Sequence, residues 1–200
     1  MRHWIGSGLG AVVWLVLALA FAERAVSEAS LGERLLAGGL ALENGLLALL
    51  FVLRREATRT SRPAQTLLAL AVTTAPLLFR PADAGWELPG LALQLLSLPW
   101  LVASLLALGR AIGVAAADRG LRTGGTYRIV RHPLYAGELL CGLGYVFGHG
   151  SLHNVSLWLA ILAGQLLRIR WEERLLIEQH PEGYAAYRGF VRWRLLAFVY

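Results

Sequence analysis

Runs of about twenty predominantly apolar residues, repeated along one chain, leave few possible folds, because that is the length a helix needs to cross the hydrocarbon of a bilayer. This chain carries several such windows: Trp4–Ala22, Leu35–Leu53, Ala64–Phe79 and Leu88–Leu108, then a shorter pair, Leu134–Phe147 and Val155–Leu167. Charged residues make up 16% of its 200 residues and hydrophobic ones 56%, whereas soluble domains are about 25% charged. Backbone polar groups in lipid must bond within their own segment. The sequence therefore predicts an all-α integral membrane protein of about five to six transmembrane helices. The last two windows form a short helical hairpin, followed by a cytoplasmic C-terminal helical segment.

Arg2 before the first window gives it the look of a secretory signal. Its apolar run is longer than such signals use, and Glu23-Arg24 follow as a polar stop, so it is read as a retained helix. All 19 basic residues are arginine. With abundant Ala, Leu and Gly, this composition points to a GC-rich, prokaryotic source and hence to an inner or cell membrane. On the six-window topology sixteen arginines fall on one face and only Arg24, Arg34 and Arg80 on the other. The positive-inside rule then places both termini in the cytoplasm. The pI near 10.2 is thus a topology signal. The arginines are dispersed over several loops with no groove-reading motif, which argues against nucleic acid as a partner. The lone Cys141 excludes an intramolecular disulfide, and no metal site is expected. Oligomeric state is not legible.

With no internal repeat, residues 1–200 read as a single membrane domain, with 1–108 a helical scaffold and 109–200 the cofactor-binding and catalytic part. Between Gly109 and Tyr127 five glycines make a segment able to lie close to a ligand. Pro133 opens the fifth helix, where a missing N–H costs nothing. Arg168 and Glu172 lie four apart on a helix continuing beyond the sixth window, so they share a face. Trp193, Phe198 and Tyr200 among Arg192 and Arg194 suggest an interfacial amphipathic closure. Glu43-Asn44 inside the second window should face the bundle interior. His149 and His153 stand beside Gly148, Gly150 and Ser151, which mark a hairpin tip.

Two polar clusters bracket the short hairpin: Arg131-His132-Pro133-Leu134-Tyr135-Ala136-Gly137 before it and Glu172-Glu173 after it. Such groups at a membrane face read as two walls of one pocket. The Arg-His-Pro-x-Tyr-x-Gly run, the paired glutamates and the later Tyr-x-x-Tyr at 184–187 resemble the isoprenylcysteine carboxyl methyltransferase and phospholipid methyltransferase superfamily of integral membrane enzymes. The resemblance covers roughly residues 108 to 195. The tail departs from the family pattern at 178–184 and at Arg192.

The resemblance implies an S-adenosylmethionine-dependent methyltransferase acting on a lipophilic small molecule or lipid reached from the bilayer. Carried over, His132, Pro133, Leu134, Tyr135 and Gly137 would line the cofactor site with Glu172 and Glu173, joined by Arg131 and Tyr127. A glutamate can hold the cofactor's ammonium, while the N-terminus of the fifth helix and Arg131 can hold its carboxylate. Arg168 and Glu172 are the catalytic candidates, Arg168 orienting an anionic acceptor. Whether the acceptor is a carboxylate or an amine stays open. Two alternatives compete: a membrane NADPH-dependent reductase of the sterol reductase type, suggested by Glu138 after Gly137, and a non-catalytic membrane protein of the same fold.

Overall fold

The computed structural model describes residues 2–57, 59–60, 62–114 and 117–199. Seven helices account for most of them: α1 (Arg2–Ser27), α2 (Leu31–Leu53), α3 (Pro63–Thr74), α4 (Glu87–Leu108), α5 (Pro133–Gly148), α6 (Leu152–Gln179) and α7 (Pro181–Phe190). Four segments are long and apolar enough to cross a membrane: Gly8–Ser27, Leu31–Leu53, Glu87–Ala111 and Leu152–Gln179. The window expected at 64–79 divides into α3 and a 3-10 turn, Ala75–Leu78. Pro76 supplies no amide hydrogen and clashes with the preceding turn, so the α-helix ends there. At 16 residues α5 spans about 24 Å, and at 28 residues α6 spans about 42 Å, well beyond a hydrocarbon core of about 30 Å.

α1 and α2 form an antiparallel hairpin. Ser30 caps α2 by accepting from the Glu33 amide at 3.2 Å, and Gly10 lets Phe51 lie against the α1 backbone. α4 and α5 also run antiparallel and approach closely through Gly90, Gly144 and Gly148: a Cβ on Gly90 would sit 2.6 Å from the Gly144 carbonyl oxygen. Glu43 and Asn44 are buried inward as expected, and Asn44 donates to Leu40 O of its own helix at 2.8 Å. The Pro99-Trp100 pair serves packing too, since the Trp100 indole donates to Pro133 O at 2.7 Å.

The two ends of the bundle differ in charge. At one end lie the 27–34 and 80–86 connections and the 148–153 turn, where Asn154 bonds both Arg80 O (2.8 Å) and His149 O (2.7 Å). His149 and His153 take backbone partners at Ala82 and Leu78. The opposite end gathers the 54–62 and 110–131 loops and the tail. There Arg55 and Arg110 share a backbone hydrogen bond, and Arg59 and Thr60 pair antiparallel with Asp118 and Ala117. Arg34 and Arg80 lie in the first set of connections, and Arg24 lies in the last turn of α1 beside them. Met1 and Tyr200 lie outside the described residues, and the Tyr200 expectation with them.

Candidate functional site

The site begins with the turn entering α5. The tail folds back alongside it, so that the amides of Arg131 and His132 donate to the carbonyls of Trp193 and Arg194, each at 2.8 Å. Pro133 then starts the helix, which brings Tyr135 round to face α6. From α6, Glu172 accepts a hydrogen bond from the Tyr135 hydroxyl. Glu173 accepts from Arg131 Nε at 2.8 Å and from Arg194 at 2.9–3.0 Å, with His132 Nε2 at 3.4 Å. Residues some forty positions apart in the chain therefore meet in one cluster at the arginine-rich end.

The two glutamates do different work. Glu173 is buried in a cage of cations and does not line the adjoining cavity, whereas Glu172 does. A carboxylate taken this far from water needs opposite charge and full hydrogen bonding around it, and Arg131 and Arg194 provide both. Arg131 in turn is fixed by donating Nη1 to Val191 O (2.8 Å) and Arg192 O (2.7 Å). Its guanidinium is thus engaged on the tail, although Arg131 also borders the cavity.

Of the other residues singled out from sequence, Tyr127, His132, Leu134, Tyr135 and Arg168 line the cavity. Pro133 and Gly137 do not. Pro133 is buried against Trp100, and a Cβ on Gly137 would come within 2.8 Å of Leu101, so this glycine is a packing contact between α5 and α4. Arg168 is buried with its guanidinium 4.6 Å over the Tyr135 ring, a cation–π arrangement. It donates to Gln165 Oε1 at 3.0 Å and to Val114 O at 2.7 Å, tying the 110–122 loop to α6.

Several lining residues were not assigned to the cofactor site from the sequence. Glu138 lies one turn past Leu134 and accepts from Gln165 Nε2 at 2.6 Å. Trp14, Leu47 and Phe51 from the first hairpin and Thr73 from α3 make an apolar wall with one hydroxyl. Nothing in local sequence marks these four, since apolar residues in apolar helices carry no signal of what they face. Tyr184 and Tyr187, visible as a Tyr-x-x-Tyr repeat, are buried where α7 meets the cavity, and Tyr187 donates to Tyr127 O at 2.7 Å. Burial pushes the hydroxyls of Tyr127, Tyr184 and Tyr187 well above the usual tyrosine range, with the Glu172 charge adding to the effect at Tyr127.

Residues 88–182 match the family model for phospholipid methyltransferases. That stretch is similar to the phospholipid methyltransferase family. That family lies within the superfamily of membrane methyltransferases that the His-Pro-x-Tyr-x-Gly and Glu-Glu motifs resemble. No curated protein matches the chain in sequence. The matched segment begins in α4 and ends at the start of α7. It contains both polar clusters and the glycine-rich loop, while α1 to α3 and the tail from 183 onward lie outside it.

Proposed function

We propose that this chain is an S-adenosylmethionine-dependent methyltransferase that modifies a lipophilic acceptor at the arginine-rich, cytoplasmic face of the membrane. The observation that carries this reading is the convergence of Tyr135 and Glu172 beside one cavity, held by the Arg131–Glu173–Arg194 cage. The lining is also incomplete in itself. Arg168 Nε and Arg122 Nε are buried without hydrogen-bond partners among the described residues, and such donors are costly unless something bonds to them. A zwitterionic ligand with its own carboxylate and ammonium suits a lining that offers spare guanidinium donors and the carboxylate of Glu172.

S-adenosylmethionine would supply an activated methyl group at a sulfonium. The chain's part is positioning, which is worth roughly 7–11 kcal/mol when reacting groups are well aligned. Glu172 would hold the ammonium, its carboxylate steadied by the Tyr135 hydroxyl. Glu173 does not compete for that role: it anchors Arg131, and through it the turn that carries His132 into the lining. Tyr127, uncharged at physiological pH, offers an aromatic face to cationic or planar groups. The apolar wall of Trp14, Leu47 and Phe51 comes from α1 and α2, two helices long enough to cross a membrane, and would suit an acceptor with a hydrocarbon tail. Arg168, locked against Tyr135, would orient an anionic group on that acceptor.

Titrating the detergent-solubilised full chain with S-adenosylhomocysteine by calorimetry, with NADPH in parallel, tests the assignment. Saturable binding of S-adenosylhomocysteine, weakened at least tenfold by Glu172→Gln, is expected, together with label transfer from radiolabelled S-adenosylmethionine into a lipid extract. Binding of NADPH alone would overturn it in favour of a reductase, and binding of neither in favour of a non-catalytic protein.

A further inference from the structure

A second cationic site lies on the far side of Arg131. A groove there is lined by Arg131, Arg188, Arg192 and Arg194, with Ala185 and Gly189 giving it a shallow floor. The inner two guanidiniums share one carboxylate, Glu173. Arg188 and Arg192 are exposed, and their guanidinium groups make no hydrogen bond or ion pair among the described residues. Four arginines therefore line one groove, with Glu173 the carboxylate shared by the inner two. Such a cluster attracts an anion, and guanidinium suits phosphate because its planar fork bonds two oxygens at once.

The surroundings indicate what carries the phosphate. Phe190, Phe198 and Val199 are 89%, 85% and 73% exposed, and Leu196 is 59% exposed. Leu195 between them is buried in a cluster with Val72, Ile161 and Ile169 of α3 and α6. That anchor returns the tail to the flank of α6, which is long and apolar enough to cross a membrane, an arrangement that would set the exposed apolar side chains toward acyl chains and the arginines at headgroup level. A free anion in solution would use the arginines and leave this apolar rim without purpose.

We infer that the groove of Arg188, Arg192 and Arg194 binds the phosphate of an anionic phospholipid, with the tail residues Phe190, Leu196, Phe198 and Val199 against its acyl chains. The site is independent of the reading of the cavity, with which it shares the buried Arg131 as a common wall. It fits a cytoplasmic leaflet, whose anionic lipids attract each basic residue near the surface by about 1 kcal/mol, or about fivefold in association.

The test uses the full chain reconstituted in bilayers of mixed phosphatidylglycerol and phosphatidylcholine. Spin-labelled versions of each lipid report the association preference by electron paramagnetic resonance. We expect the wild type to prefer phosphatidylglycerol, Arg188→Gln and Arg192→Gln each to lower that preference by up to about fivefold, and the double Lys variant to retain it. Inorganic phosphate should not displace the labelled lipid. Equal association of the two lipids, or a preference unchanged in the double Gln variant, would overturn the inference. Displacement by inorganic phosphate would also overturn it, by showing a soluble-anion site. Circular dichroism of each variant establishes that the fold is intact.

Discussion

Replacing Glu173 by Gln should destabilise this protein more than any other change of one atom at the site. The side chain is 6% exposed and receives Arg131, itself 6% exposed, at 2.8 Å. Removing the negative charge leaves the Arg131 guanidinium buried against two backbone carbonyls and an amide. Breaking a buried pair in this way typically costs about 3–5 kcal/mol. Arg194 adds little, because its side chain is 30% exposed and can rehydrate. For a chain of this size each kcal/mol moves the melting midpoint by about 2–4 °C, so a fall of roughly 6–20 °C is expected, read by intrinsic tryptophan fluorescence in detergent. Glu172→Gln supplies the contrast. That side chain is 22% exposed and has one hydroxyl donor, worth about 1–3 kcal/mol at most as a charged hydrogen bond, while its effect on S-adenosylhomocysteine affinity should be the larger of the two. A Glu173→Gln variant melting within about 2 °C of wild type, or a Glu172→Gln variant melting as low as Glu173→Gln, would refute the division of labour between the paired acids.

Gly90→Val should prevent proper docking of α4 on α5, since the new carbons would meet backbone of Gly144 and Gly148; overpacking of this kind costs about 1–3 kcal/mol or more, visible as aggregated material in size-exclusion chromatography. Arg168→Lys should free the 110–122 loop, because a lysine cannot serve Gln165, Val114 and the Tyr135 ring together; faster limited proteolysis within that loop is the readout. An alkaline absorbance titration should show Tyr127, Tyr184 and Tyr187 silent past pH 10. Their folded pKa values lie above the unfolded value of about 10, so the stability they contribute is complete below that pH and is lost as pH rises beyond it. Normal titration of all six tyrosines in the folded protein would contradict their burial.

Local chemistry explains what could be read in advance. Apolar length alone demands helices in a bilayer, and the arginine bias separates the two ends before any contact is known. Pro133, placed where a helix can begin without its amide hydrogen, marks the start of α5 to the residue. The motif residues His132, Tyr135, Arg168 and Glu172 were legible because polar groups in an oily chain need a reason. The roles within the motif were not. Glu172 and Glu173 are chemically identical neighbours, and only the 100° turn between successive helix residues sends one into the cavity and the other into the cage of Arg131 and Arg194.

A bundle of apolar helices with polar clusters at its arginine-rich end follows from residue order, because the cost of exposing backbone and charge to hydrocarbon is set residue by residue and needs no knowledge of neighbours. Tertiary structure alone decided that the tail lies along the entry to α5, that Gly137 packs rather than lines, and that Trp14, Leu47 and Phe51 wall the cavity. These are matters of which faces meet, set by side-chain shape and by pairings between residues far apart in the chain, and one-dimensional periodicity does not encode them.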